Sequence, residues 1–251
     1  MNRNKAWITS AHRGFVEGRL KENSLAAYYN AYLHGADMIE TDARFTSDGV
    51  LVVNHDPTLR GLNAEGEAVE YVVAESTARA ICSVVLSEDE KWGKQRIPTL
   101  EEVLNLAYHT GLFVNIDLKN GLASAEPVAK LVLKCGMVGR VVYALNGSGM
   151  DGIKAILAID PEARFIDRGV TFAETVKDYP ERGKRCFCYT SDTSEENIRA
   201  IRNHGCLLAT ISLSPANFEA SIRCKPDMCE YLHTSDFAAI ESDYLSNIKL
   251  Y

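Results

Sequence analysis

Three acids, two histidines and two cations stand at or just beyond β-prone runs in the first half of the chain: Glu40, Asp42 and Asp117; His12 and His55; Arg13 and Lys119. Side chains alternate along a strand, so Glu40 and Asp42 face the same way, roughly 6.5–7 Å apart. Asn115, Asp117 and Lys119 share a face for the same reason. Acids on neighbouring strands repel unless something cationic lies between them. An oxygen-only ligand set suits a hard divalent ion, Mg²⁺ or Ca²⁺. One acid pair alone reads first as a solvated sheet face; Asp117 on the next strand and two histidines nearby turn the reading to a built site. Two histidines are the apparatus of in-line phosphodiester displacement, where one takes a proton from the attacking hydroxyl and the other gives one to the leaving alkoxide. His34, His109 and His204 fall at helix ends and read as structural. His233, on the last strand, reads first as structural too, with a place facing the same mouth as the alternative.

These residues need a frame that brings strand ends together. Trp7–Ala11 is a strand that runs into His12-Arg13-Gly14. Asn23 or Ser24 caps a helix over 25–34 that Gly35 closes. Met38–Arg44 is the second strand. Ser47-Asp48-Gly49 turns the chain into a short strand, Val50–Val53, which leads to His55. Thr99 and Glu102 form a capping box at the start of a helix. Strands follow at 113–119, 141–145, 163–166, 186–189, 207–212 and 231–235. Helices are expected near 128–135, 152–158, 172–177, 195–204, 217–221 and 237–245. Leaving out the short Val50–Val53 strand gives eight strand–helix units. That rhythm predicts a (β/α)₈ barrel with functional residues at the C-terminal strand ends. No glycine-rich dinucleotide fingerprint follows any strand, which counts against an open doubly wound sheet. Residues 58–96 break the rhythm and read as an insertion after strand two, a lid beside the mouth. The whole of 1–251 reads as one barrel domain.

The 251 residues are 46% apolar and 24% charged, an ordinary globular balance. The formal charge is −7, with no basic block, so nucleic-acid binding is disfavoured. No apolar run reaches the roughly 20 residues a membrane helix needs, so no integral membrane segment is expected. The first ten residues lack the apolar core of a secretory signal, and the expectation is a cytoplasmic protein. Seven cysteines show no zinc-site spacing.

Several motifs occur in a shared order: His12-Arg13-Gly14, Glu22-Asn23, Gly35-Ala36-Asp37, Glu40-Thr41-Asp42, Asp48-Gly49, His55-Asp56, Pro98-Thr99-Leu100-Glu101-Glu102-Val103 and Asn115-Ile116-Asp117-Leu118-Lys119. Together they resemble the glycerophosphodiester phosphodiesterase family, densely over residues 8–119. The resemblance implies a barrel that hydrolyses glycerophosphodiesters to an alcohol and sn-glycerol 3-phosphate. It implies His12 and His55 as the acid/base pair and Glu40, Asp42 and Asp117 as ligands of Mg²⁺ or Ca²⁺. Arg13 and Lys119 would contact the phosphate, and Glu22 would be a rim acid. The chain departs from the pattern at three places. Asp117 stands where the family usually has Glu. Ala209 and Ser212 replace an aromatic and an Asn. Leu59-Arg60-Gly61-Leu62 replaces a common Arg-Thr-Thr stretch. The Asp117 departure keeps a second enzyme reading open, a phospholipase D-like or cyclising phosphodiesterase acting on a lysophospholipid. A barrel that binds a phosphodiester without cleaving it is the third reading.

Overall fold

The computed structural model describes residues 8–16, 20–190, 192, 194–212 and 237–242. The chain opens with strand β1 (Ile8–Ala11), helix α1 (Leu25–Leu33) and strand β2 (Met38–Phe45). Ser24 caps α1, its hydroxyl accepting from the Ala27 amide. The Ser47–Gly49 turn reverses the chain into β3 (Leu51–Val53), antiparallel to β2. Four further strands follow, β4 (Thr58–Leu62), β5 (Ala68–Val72), β6 (Val85–Asp89) and β7 (Gly93–Arg96), with helix α2 (Ala78–Ser83) between β5 and β6. The alternation then resumes: α3 (Leu100–Thr110), β8 (Phe113–Leu118), α4 (Leu122–Lys134), β9 (Val141–Ala144), α5 (Gly149–Leu157), β10 (Arg164–Arg168), α6 (Gly169–Thr175), α7 (Arg182–Arg185), β11 (Cys186–Thr190), α8 (Glu195–Asn203), β12 (Leu207–Ser212) and β13 (Phe237–Ser242). The expected capping box is present: the Glu102 amide donates to the Thr99 hydroxyl at 3.2 Å, and the Thr99 amide donates back to Glu102 Oε2 at 2.8 Å.

Eight strands pair in parallel around a closed ring, β1-β2-β8-β9-β10-β11-β12-β13 and back to β1. This is the predicted barrel. Outward-facing residues such as Ile39, Val114, Ile116, Tyr143 and Phe165 are fully buried under the helices. Inside the ring, Met38, Val142, Ile166, Phe187 and Ala209 form a separate apolar cluster. On β2 the same face continues from Met38 to Glu40 and Asp42, so the interior changes from apolar to acidic toward the C-terminal strand ends.

Two expected elements differ. Residues 237–242 form β13, where the sequence suggests a helix over 237–245. Phe-Ala-Ala-Ile fits either period, and the tertiary frame decides: this strand closes the ring, pairing Ile8 with Ala239 and Ala209 with Ala239 on its other side. The strand expected at 231–235, the helix near 217–221 and His233 lie outside the described residues. Helix α4 begins at Leu122 rather than near 128. Pro127 removes one ladder bond inside it, but the buried stripe Ala125, Val128, Ala129 and Val132 holds the helix on the barrel.

The 58–96 stretch is a small antiparallel sheet, ordered β5-β4-β6-β7. Val52, Leu59, Val73, Ile81, Val84 and Ile97 give it its own buried cluster. It is tied to the β2–β3 turn, with the Ala78 amide donating to Asp48 Oδ1 at 2.9 Å. Its Trp92 ring meets Tyr29 of α1 edge-on at 6.2 Å.

Candidate functional site

The turn after β1 is backbone-determined. Gly14 has φ +91°, and a Cβ there would stand 2.8 Å from both the carbonyl carbon and the Cβ of Ala27. Only glycine satisfies both the left-handed backbone and the approach of α1. Arg13 (φ +53°) and Asn23 (φ +56°) are also left-handed. The Asn23 amide donates to the Arg13 carbonyl at 2.9 Å, closing the 13–23 loop. This turn presents His12 and Arg13 to the barrel mouth. The Arg13 amide donates to Glu40 Oε2 at 3.0 Å, and its guanidinium donates to Glu22 Oε1 at 3.0 Å and lies 3.4 Å from Asp42 Oδ2. Burial works against the Arg13 charge, but Asp42, Glu22 and Glu40 outweigh it and its pKa is raised.

The β2–β8 register sets Glu40 beside Asn115 and Asp42 beside Asp117. Like charges directly opposite on a sheet repel. Lys119 relieves this pair, its Nζ lying 2.9 Å from Asp42 Oδ1 and 2.6 Å from Asp117 Oδ2. One carboxylate oxygen from each of Glu40, Asp42 and Asp117 lies within 4.8 Å of the others. Two ligands of one ion stand at most twice the metal–oxygen bond apart, about 4.1 Å for Mg²⁺ and about 5 Å for Ca²⁺. A separation in this range suits a divalent cation. A second observation agrees: Asp117 Oδ1 is buried with no hydrogen-bond partner among the described residues. Burial pushes the Asp117 carboxyl pKa up, with Lys119 opposing. Asp42, 1% exposed, is held from behind as well. Asn23 Nδ2 donates to Asp42 Oδ2 at 2.8 Å, and the buried Tyr28 hydroxyl donates to Asn23 Oδ1 at 2.7 Å.

His55 follows β3. Its Nδ1 lies 2.8 Å from Asp56 Oδ1. A carboxylate at Nδ1 selects the tautomer protonated there and leaves the Nε2 lone pair for proton transfer. The same contact holds the Asp56 carboxyl below its ordinary pKa. Arg44 Nη2 donates to the His55 carbonyl at 2.6 Å, and Asn54 Nδ2 donates to the Asp56 carbonyl at 2.7 Å, so the loop is pinned on both sides of the ring.

His12, Arg13, Glu40, Asp42, His55, Asn115, Asp117 and Lys119 line one cavity of about 240 Å³. Its other wall comes from Ala144, Asn146, Ile166, Asp167, Arg168 and Tyr189. Glu22 reaches the site through Arg13 from the rim. The structure brings His12, His55, Glu40, Asp42, Asp117, Arg13 and Lys119 together in this cavity. None of the lining residues comes from 58–96, so that sheet does not cap the described cavity; its apolar face is committed to Val52 and Ile97 instead. Ala209 is buried in the apolar cluster inside the ring, level with Tyr189 of the cavity lining. Sequence spacing assigned no role to Tyr28, Arg44, Asp56 or Asp167. The pairs Glu22-Asn23 and His55-Asp56 carried part of that signal.

Fold and site together define an α/β barrel whose C-terminal mouth carries a carboxylate cluster, two histidines and fixed cations. Residues 12–157 match the glycerophosphoryl diester phosphodiesterase family, and the chain belongs to that family. It is 36% identical over 128 residues to a glycerophosphodiester phosphodiesterase of Caldanaerobacter subterraneus subsp. tengcongensis, covering 51% of each chain. The match thus spans about half the length of that curated relative. Among solved structures, a glycerophosphodiester phosphodiesterase from Agrobacterium tumefaciens superposes with a TM-score of 0.69 at 23% identity, covering 94% of this chain and 96% of that one. An Oleispira antarctica phosphodiesterase, solved with the product sn-glycerol-3-phosphate, superposes with a TM-score of 0.72 at 17% identity, covering 97% and 95%. At these identities the likeness is one of fold. No described helix is long and apolar enough to cross a membrane.

Proposed function

We propose that this chain hydrolyses glycerophosphodiesters to an alcohol and sn-glycerol 3-phosphate, working as one barrel domain over 1–251 with 58–96 as an insert. The observation that carries the reading is the convergence of His12, His55, Arg13, Lys119 and the Glu40–Asp42–Asp117 cluster on one cavity. The named activity of the Caldanaerobacter relative and the product held by the Oleispira barrel support it.

Glu40, Asp42 and Asp117 would hold Mg²⁺ or Ca²⁺. When bound, the ion supplies Lewis-acid charge against the phosphoryl oxygens. Arg13 and Lys119 add fixed positive charge beside it, held in place by Glu22, Asp42 and Asp117. Such preorganised cations stabilise charge that develops on the phosphoryl group. His12 and His55 exchange the two protons of the reaction. One imidazole takes a proton from the attacking hydroxyl, and the other gives one to the departing alkoxide. Asp56 and Arg44 fix the His55 ring and its backbone, so this histidine meets the phosphate with little reorganisation.

The test is a product-resolved assay of several glycerophosphodiesters with Mg²⁺, Ca²⁺, Mn²⁺ or a chelator. A free phosphomonoester and an alcohol, formed only with metal, are expected. A cyclic phosphate as end product favours the phospholipase D-like reading. Tight binding without turnover favours the non-catalytic one.

A further inference from the structure

The two cations of the reacting half of the cavity are committed. Arg13 is engaged by Glu22 and Asp42, and Lys119 spans Asp42 and Asp117. Arg168, at the end of β10, is the third cation among the described lining residues and stands on the opposite wall. Its sequence neighbour Asp167 is not its counter-ion. Asp167 Oδ2 accepts from the Gly147 amide at 2.8 Å, and Oδ1 accepts from the Arg168 amide at 2.8 Å. Both carboxylate oxygens thus clamp backbone, joining the loop after β9 to the end of β10. In that loop Asn146 is held at φ +49°. The clamp fixes where Arg168 leaves the backbone. Its guanidinium is exposed and makes no hydrogen bond or ion pair with any described residue.

We propose that Arg168 sets specificity for the alcohol end of the substrate, selecting leaving alcohols that carry an anionic group over those that carry an ammonium group. The inference rests on the hydrolase reading above. A phosphodiester seated at the acidic cluster has one constant arm, glycerol, which is neutral, and one variable arm. A free guanidinium discriminates only on the arm whose charge varies. Its planar fork matches a carboxylate or a phosphate. An ammonium head group wants the opposite environment, a set of aromatic faces. Among the described lining residues this wall offers a single aromatic ring, Tyr189, next to a cation.

Three glycerophosphodiesters of matched length separate the cases, with 3-hydroxypropionate, propane-1,3-diol or 3-aminopropanol as the leaving alcohol. Their kcat/KM values are measured with saturating metal at low salt. The wild type should rank them anionic, neutral, cationic, with steps on the order of ten-fold, and salt should compress the ranking. Arg168→Gln should level it, and Arg168→Glu should invert it, with the neutral ester changing least. Equal loss on all three esters would mean that Arg168 serves the phosphate or the glycerol arm, and overturns the inference. So does a ranking that Arg168→Glu leaves intact. Hydrolysis of all three at one rate by the wild type overturns it while leaving the hydrolase reading standing. Hydrolysis of none overturns the hydrolase reading and the inference with it.

Discussion

Asp42 shows how far a single side chain depends on partners that sequence spacing does not reveal. Its acid type and its step of two from Glu40 are visible in the chain. Its supports are not: Asn23 comes from a loop, Tyr28 from α1, and Lys119 from beyond β8. The same holds for His55. Its position after a β-run marks it, but the Arg44 grip on its carbonyl follows only from the β2–β3 hairpin. The histidines carry the sharpest residue-level prediction. His12→Ala and His55→Ala should each lower turnover of an alkyl ester by about 10²–10⁴ while leaving the thermal midpoint nearly unchanged. An ester with a nitrophenolate leaving group needs no proton on departure. It should partly rescue only the variant that lacks the acid, and that rescue assigns the two roles. A variant with wild-type turnover on the alkyl ester would make that histidine a bystander.

At the scale of elements, the first half of the barrel was easy to read and its closure was not. β2 and α3 carry clear alternation and a capping box, whereas Phe237–Ser242 has a short apolar run that no local rule assigns. Ring closure is a non-local decision, made when β13 pairs with both β1 and β12. The insert was marked by its broken rhythm, but its strands were not assigned, because their faces are mostly intermediate or exposed and few apolar residues are buried along them. Gly14 is the local element on which the mouth turns. Gly14→Ala forces a Cβ against Ala27 at a positive φ, and should cost about 1–3 kcal/mol with a matching fall in thermal midpoint and activity. An alanine variant as stable and active as the wild type would show that α1 moves away without consequence. In the insert, Ile81 is fully buried in the separate cluster. Ile81→Ala should cost about 2–5 kcal/mol locally. Amide exchange should then speed up across β4–β7 while β8–β11 keep their protection. Uniform acceleration would instead show that insert and barrel unfold as one unit.

For the whole molecule, the acidic cluster links folding to pH, and under the proposed function it would link folding to metal as well. Burial raises the folded-state pKa of Asp117. For an acid, a raised folded pKa means that the native chain binds more protons than the unfolded one. Its contribution therefore falls as pH climbs from the unfolded value, about 3.9, through the folded one. At neutral pH the metal-free protein carries this ionisation as a cost, offset in part by Lys119, whose own pKa Asp42 and Asp117 raise against the effect of burial. A divalent cation held by the cluster would favour the ionised form and reverse the sign. At 100 times its dissociation constant a ligand adds about 2.7 kcal/mol. For a chain of this size each kcal/mol is worth about 2–4 °C. Saturating Ca²⁺ or Mg²⁺ at neutral pH should thus raise the thermal midpoint by roughly 5–10 °C over a chelator control. The gain should shrink as the solution is acidified toward the Asp117 pKa, where protons compete with the ion. Asp117→Asn removes the charge but keeps the shape. Without metal it should be at least as stable as the wild type near neutral pH, because a buried anion has been replaced by a neutral amide. With metal it should lose most of the gain. Calorimetric scans of both proteins, with and without chelator across this pH range, decide the matter: a full metal-dependent shift in Asp117→Asn would place the ion somewhere other than this cluster.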